Sequence, residues 1–149
     1  MKTISKPLVL GFYGNSSSGK TTLLEKLLTA LKSKNYRIAV VKISGHLISL
    51  DSEGKDTEIF SRSGADPVVL ASQTTTSYLF QKSSEEVEII SNLERLSKLD
   101  CIIIEGSRDQ NIPKIRLGDR AIRENTLFTY DGDYEELLNF ITQLLEKEK

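Results

Sequence analysis

Gly14-Asn15-Ser16-Ser17-Ser18-Gly19-Lys20-Thr21 fits the phosphate-loop pattern GxxxxGK[ST], and the apolar run Leu8 to Phe12 precedes it. In that pattern the glycines let backbone N–H groups curl around a phosphate, the lysine reaches the β and γ phosphates, and the hydroxyl holds Mg²⁺. Chance alone would place such a pattern in roughly one chain of this length in two hundred. Its surroundings reduce that chance further. Leu8-Val9-Leu10-Gly11-Phe12 suits a buried parallel strand, and Leu23, Leu24, Leu27, Leu28 and Leu31 recur downstream at helical spacing. Strand, loop and helix in this order imply a site for a nucleoside triphosphate, because the positive end of the helix dipole joins the N–H cradle.

Outward from this loop, strand and helix patterns alternate. Arg37 to Ile43 reads as a second buried strand, and a polar connection from Ser44 to Asp56 follows it. Asp56 or Thr57 can cap a short helix carrying Ile59 and Phe60 and ending near Gly64. Pro67 to Ala71 is a third strand and Ser77 to Phe80 a weaker fourth. Ser83 and Glu86 have capping-box spacing ahead of a helix with Val87, Ile90, Leu93 and Leu96. Cys101 to Ile104 is fully apolar, which predicts an interior strand, and Lys114 to Leu117 and Thr126 to Thr129 are the last strand candidates. Asp133 and Glu136 form a second capping box before the final amphipathic helix. The pattern predicts an α/β fold in three layers, a phosphate-loop NTPase architecture whose mainly parallel central sheet is flanked by helices.

The 149 residues are enough to bury around 70% of the unfolded surface, so the expectation is one nucleotide-binding domain over residues 1–149. A formal charge of -1 supplies no broad basic face, which argues against nucleic-acid binding. No run of 18 apolar residues occurs and the first residues lack a signal-peptide core, so a cytoplasmic protein away from the membrane is expected. The one cysteine, Cys101, lies inside an apolar run and reads as packing.

Ligands of such sheets gather at the carboxyl ends of the strands. Glu105 ends the Cys101 strand where a Walker B acid would bind Mg²⁺ directly or through water, and Gly106 after it allows close approach. Asp51, in the connection after the second strand, can reach Mg²⁺ or orient a hydrolytic water; an exposed, idle aspartate is the alternative. His46, in the same connection, fits a switch, an acid–base group or a solvated side chain.

These segments together resemble the molybdopterin-guanine dinucleotide biosynthesis protein B family, MobB. The resemblance rests on GNSSSGKTTLLEKLL, the strand ending VVK, HLISLDSEGKDTEIFSRSGA and LDCIIIEGSRDQNIPKIRL, and it covers roughly Leu8 to Leu117. Asp51, Gly54, Lys55, Asp56, Thr57 and Gly64-Ala65 carry its most specific part. It implies a GTP-binding adaptor of molybdenum cofactor maturation, at most a slow GTPase, working beside a MobA-type nucleotidyltransferase and molybdopterin and forming a homodimer. It further implies that Gly14, Asn15, Ser16, Ser17, Ser18, Gly19, Lys20, Thr21 and Thr22 bind the GTP phosphates. By the same resemblance Thr21 and Glu105 hold Mg²⁺, and Asp51 with Lys55 and Asp56 forms a switch region. Where that family often has a histidine-rich segment after the second strand, this chain reads Lys42-Ile43-Ser44-Gly45-His46, and no NKxD guanine signature is present. Arg108 keeps the charge where relatives often have lysine. A small-molecule kinase, with Arg116 to Arg123 as its lid, and a metal-insertion GTPase are the other readings. One His and one Cys give the latter few soft ligands.

Overall fold

Five strands form one wholly parallel sheet. In chain order they are β1 (Leu8–Gly14), β2 (Ile38–Lys42), β5 (Cys101–Glu105), β6 (Lys114–Leu117) and β7 (Thr126–Tyr130), and their spatial order is β2-β5-β1-β6-β7. The computed structural model describes residues 6–45 and 55–148. They divide into two compact units, one drawn from Met1–Ile43 and Glu86–Lys149 and the other from Ser44–Glu85.

The first unit is layered because its central strands, β1 and β5, are apolar on both faces. Leu10, Phe12, Cys101, Ile103, Ile115 and Leu117 face one way and pack with Leu23, Leu24, Leu27 and Leu31 of α1 (Lys20–Ser33) and Leu137, Ile141 and Leu145 of α4 (Tyr134–Lys147). On the opposite face Ile102 and Ile104 pack with Ile112, Ile90 and Leu93, the last two on α3 (Glu86–Leu96). This is the expected three-layer α/β arrangement. Full burial of each such Leu or Ile is worth about 1.5–3 kcal/mol, so the sheet and the α1–α4 layer form the main stabilising mass. Asn35 ends α1 in the left-handed conformation, and Tyr36 N–H returns to the Leu31 carbonyl at 3.2 Å.

Two expectations need correction, and the third and fourth strands are found with a pairing that the sequence left open. The strands at 67–71 and 77–80 are found as β3 (Val68–Ala71) and β4 (Thr76–Leu79), but they pair antiparallel as a separate two-stranded sheet and do not join the main one. Only four residues separate them, too few for a parallel crossover. α3 opens at Glu86 instead of being capped by Ser83, because the Glu86 carboxylate is taken up by the loop after β5. At α4, Asp133 Oδ1 accepts the Glu136 N–H at 3.1 Å as expected, yet the Asp133 N–H goes to Asp131 Oδ1, so the box is half formed.

The second unit holds α2 (Lys55–Arg62), which ends at Ser63-Gly64 as the sequence suggested, and the β3–β4 hairpin. Ser72 Oγ accepts the N–H groups of Thr74 and Thr75 and shapes the hairpin turn.

Candidate functional site

Because the strands are parallel, their carboxyl ends share one edge. The register fixes what lies there: Phe12 of β1 is opposite Glu105, Lys42 of β2 is also opposite Glu105, and Gly14 is opposite Leu117 of β6. The loop 14–19 leaves that edge from β1 and enters α1 directly.

The start of α1 is built for an anion. Gly19 is its N-cap, in the left-handed conformation at φ 79°, a geometry that glycine adopts at no steric cost. Consequently no side chain caps the helix, and no acidic residue stands in its first turn. The Leu23 N–H already bonds the Gly19 carbonyl at 3.0 Å, which leaves the N–H groups of Lys20, Thr21 and Thr22 as the helix's own orphan donors. Helix starts ordinarily carry Ser, Thr, Asp or Asn for this purpose. α4 does so, with Asp133 at its cap and Glu135 and Glu136 in its first turn. The uncapped donors at α1 are of the kind that bind a phosphate.

Asn15, Ser16 and Ser17 are exposed, as are Thr21 and Thr22, so the loop presents its outer surface to solvent. Ser17 is also left-handed, at φ 66°, which supplies the turn that curls the backbone. Within it the Ser18 N–H bonds the Asn15 carbonyl at 3.1 Å, while Ser18 Oγ is buried without a hydrogen-bond partner. Lys20 lies over the loop, its ammonium donating to the carbonyls of Gly14 at 3.2 Å and Asn15 at 2.9 Å. Those neutral acceptors hold a cation that a phosphate oxygen would bind about twice as strongly.

Glu105 closes β5 with its side chain 18% exposed, and Lys42 Nζ stands 3.7 Å from its carboxylate. The candidate Mg²⁺ donors are thus a hydroxyl, Thr21, and a carboxylate, Glu105. Both are hard oxygens of the kind Mg²⁺ takes alongside water and substrate phosphates. His46, Asp51 and Gly54 lie outside the described residues, and so does the side chain of Lys55. Asp56 sits in the first turn of α2, in the second unit.

The sequence reading gave Arg116 to Arg123 only as the lid of the kinase alternative and Glu86 only as part of a cap; both reach loops at the strand ends. Segment 118–125 returns to the phosphate loop: Asp119 Oδ1 accepts from Asn15 Nδ2 at 3.1 Å, and Arg120 donates to the Gly14 carbonyl at 3.3 Å. A charged stretch following a strand that neighbours β1 was the available signal. Glu86 is the second. Its carboxylate accepts the Ser107 hydroxyl at 2.6 Å and the Arg108 N–H at 2.7 Å, fixing the loop that follows Glu105.

Residues 9–143 match the family described as Molybdopterin guanine dinucleotide synthesis protein B. The chain belongs to the MobB family. Similar curated proteins are the molybdopterin-guanine dinucleotide biosynthesis adapter proteins of Haemophilus influenzae and Escherichia coli. Each is 34% identical, over 73% of this chain and 62% and 64% of theirs respectively. The chain therefore spans somewhat less than two thirds of the length of these relatives. A crystal structure of molybdopterin-guanine biosynthesis protein B, 27% identical, superposes with a TM-score of 0.66 over 93% of this chain and 99% of that one. Bacillus subtilis MobB, 18% identical, shares the fold at a TM-score of 0.71, over 91% and 96% of the two chains. Among the described residues of this MobB-family chain no helix is long and apolar enough to cross a membrane.

Proposed function

We propose that this chain binds GTP with Mg²⁺ through residues 14–22 and acts as an adaptor in molybdopterin guanine dinucleotide biosynthesis, hydrolysing GTP slowly if at all. One observation carries the triphosphate part: α1 begins on a left-handed glycine with no side-chain cap and no acid in its first turn, directly after the loop bearing Lys20. The adaptor part is supported by membership of the MobB family and by the adapter proteins to which the chain is similar.

In this reading the backbone donors of Lys20 to Thr22 and the Lys20 ammonium bind the phosphates. Thr21 and Glu105 hold Mg²⁺, which neutralises phosphate charge when bound. Asp51 orients the hydrolytic water and belongs, with Lys55 and Asp56, to a switch region. The partners are a MobA-type nucleotidyltransferase and molybdopterin, the chain is a cytoplasmic homodimer, and residues 1–149 act as one nucleotide-binding domain. GTP and the pathway partners come from the family.

A calorimetric panel of GTP, GDP, ATP and ADP with and without Mg²⁺ tests this, together with capture of the nucleotidyltransferase in each nucleotide state. GTP binding with turnover slower than about one per second, and capture that depends on the nucleotide, are the expected results. ATP preference with rapid phosphoryl transfer to a pterin acceptor would instead favour the kinase reading, to which the approach of Arg120 to Gly14 lends a lid-like arginine.

A further inference from the structure

The chain passes into the second unit after Ile43 and returns from it at Glu86. Both flanking residues belong to the first unit, and both are bonded to one short segment, Glu105 to Asp109, which is the end of β5 and the loop that follows it.

On the outgoing side, the Ile43 N–H donates to the Glu105 carbonyl at 2.9 Å, and Gly106 lies against the Ile43 carbonyl. A Cβ on Gly106 would fall 3.0 Å from that oxygen, and its φ of 87° is one that glycine adopts without strain. The Gly106 N–H is fixed in turn by the Phe12 carbonyl at 2.8 Å, on the strand that runs into the phosphate loop. On the returning side, the Glu86 carboxylate accepts the Ser107 hydroxyl at 2.6 Å, the Arg108 N–H at 2.7 Å and the Asp109 N–H at 3.3 Å. Ser107 is fully buried. Bonds to an ionised acceptor are about twice as strong as neutral ones, so this is the firmest hold on the loop.

Fixing α3 to the sheet does not require it. Ile90 and Leu93 already pack on Ile102 and Ile104. A carboxylate in the first turn of a helix ordinarily serves that helix's own N–H groups, whereas Glu86 is spent on the loop after β5. The loop therefore cannot shift without carrying the first residue of α3 with it, and that residue is where the chain comes back from the second unit.

The other end of the segment is the candidate metal ligand. Glu105 is held on its side chain by the loose Lys42 contact at 3.7 Å. When Glu105 turns to a bound cation, its motion reaches Gly106 and Ser107 through the peptide chain, and close packing against Ile43 leaves little room to absorb it. We propose that segment 105–109 is a relay, with Glu86 as its positioning residue, through which Mg²⁺ and GTP at the phosphate loop alter local opening of the second unit. This rests on the nucleotide reading given above.

Hydrogen exchange on the full chain, without nucleotide, with GTP and EDTA, and with GTP and Mg²⁺, tests it. Slowed exchange at 14–22 reports occupancy by itself. With GTP and Mg²⁺ the exchange rates at 106–109 and at 55–80 should change about fivefold or more, and with GTP and EDTA those at 55–80 should not. Glu86→Ala should keep the slowing at 14–22 and lose most of the change at 55–80. A merely structural role for Glu86 would alter exchange there equally with and without nucleotide. Ser107→Ala removes one bond only and should reduce the change in the same direction, which keeps the test valid if Glu86→Ala fails to fold. Slowing at 14–22 with no change at 55–80, or a change at 55–80 that persists undiminished in the variants, overturns the relay alone. No slowing at 14–22 overturns the nucleotide reading and the relay together.

Discussion

Lys42 and Glu105 occupy paired positions on neighbouring parallel strands, with the ammonium 3.7 Å from the carboxylate. The two ends of the pair differ. The lysine side chain is 68% exposed and the glutamate 18%, so the contact is a loose surface ion pair worth at most about 1 kcal/mol. Such a pair positions Glu105 without committing it, and a divalent cation can displace the lysine. Glu105→Gln should therefore lower Mg²⁺-dependent GTP affinity about tenfold to a hundredfold while changing Mg²⁺-free affinity little. Equal losses in the two titrations would remove Glu105 from the metal site.

Lys20 has two neutral carbonyl acceptors, on Gly14 and Asn15. Exchanging these for a phosphate replaces ordinary hydrogen bonds with charge-assisted ones worth about 1.5–3 kcal/mol. Lys20→Ala should weaken GTP by at least about tenfold to a hundredfold, with the melting temperature close to the parent's. Parent-like affinity in calorimetry would sink the phosphate-loop assignment.

How much of this was legible beforehand depended on range. α1 and its phosphate loop were readable because both signals are local: leucines at helical spacing and glycines at fixed offsets. β5 was equally clear, since four consecutive apolar residues admit burial on both faces. Both strands of the β3–β4 hairpin were readable, but strand propensity at 68–71 and 76–79 says nothing about which sheet a strand joins. Contacts across the fold were invisible for the same reason. Asn15 meets Asp119 across 104 residues, and Glu86 leaves its expected cap for a loop 21 residues on. The topology that brings such pairs together is a tertiary outcome, so no spacing rule encodes it.

Cys101 is fully buried at the start of β5, and burial, with Asp100 adding to it, pushes its thiol up to about 12. At pH 8 it is a neutral, shielded thiol. Iodoacetamide should leave the native chain unmodified and react promptly after denaturation. The sign of the linkage follows from the raised value. The unfolded thiol ionises near 9 and the folded one near 12, so this group leaves stability unchanged below pH 9 and lowers it as pH rises between those values. Fast stoichiometric alkylation of native protein would contradict the packing.

Arg120 reaches the Gly14 carbonyl from the end of β6, on the side of β1 away from Glu105, and Asp119 holds the Asn15 amide beside it. Two consecutive residues therefore grip the first two residues of the phosphate loop. The Gly14 carbonyl also accepts from Lys20, so Arg120 and Lys20 share one acceptor at the site's rim. When a phosphate draws Lys20 away, Arg120 remains to satisfy that carbonyl and hold the loop's shape. Arg120→Ala should thus slow GTP association and weaken binding several-fold, about 1 kcal/mol for one lost hydrogen bond. Asp119→Ala should act in the same direction, and the double variant should lose less than the sum because the two contacts support one loop. Stopped-flow association rates of the three variants measure this, and strictly additive losses would mean that the two residues act on GTP independently.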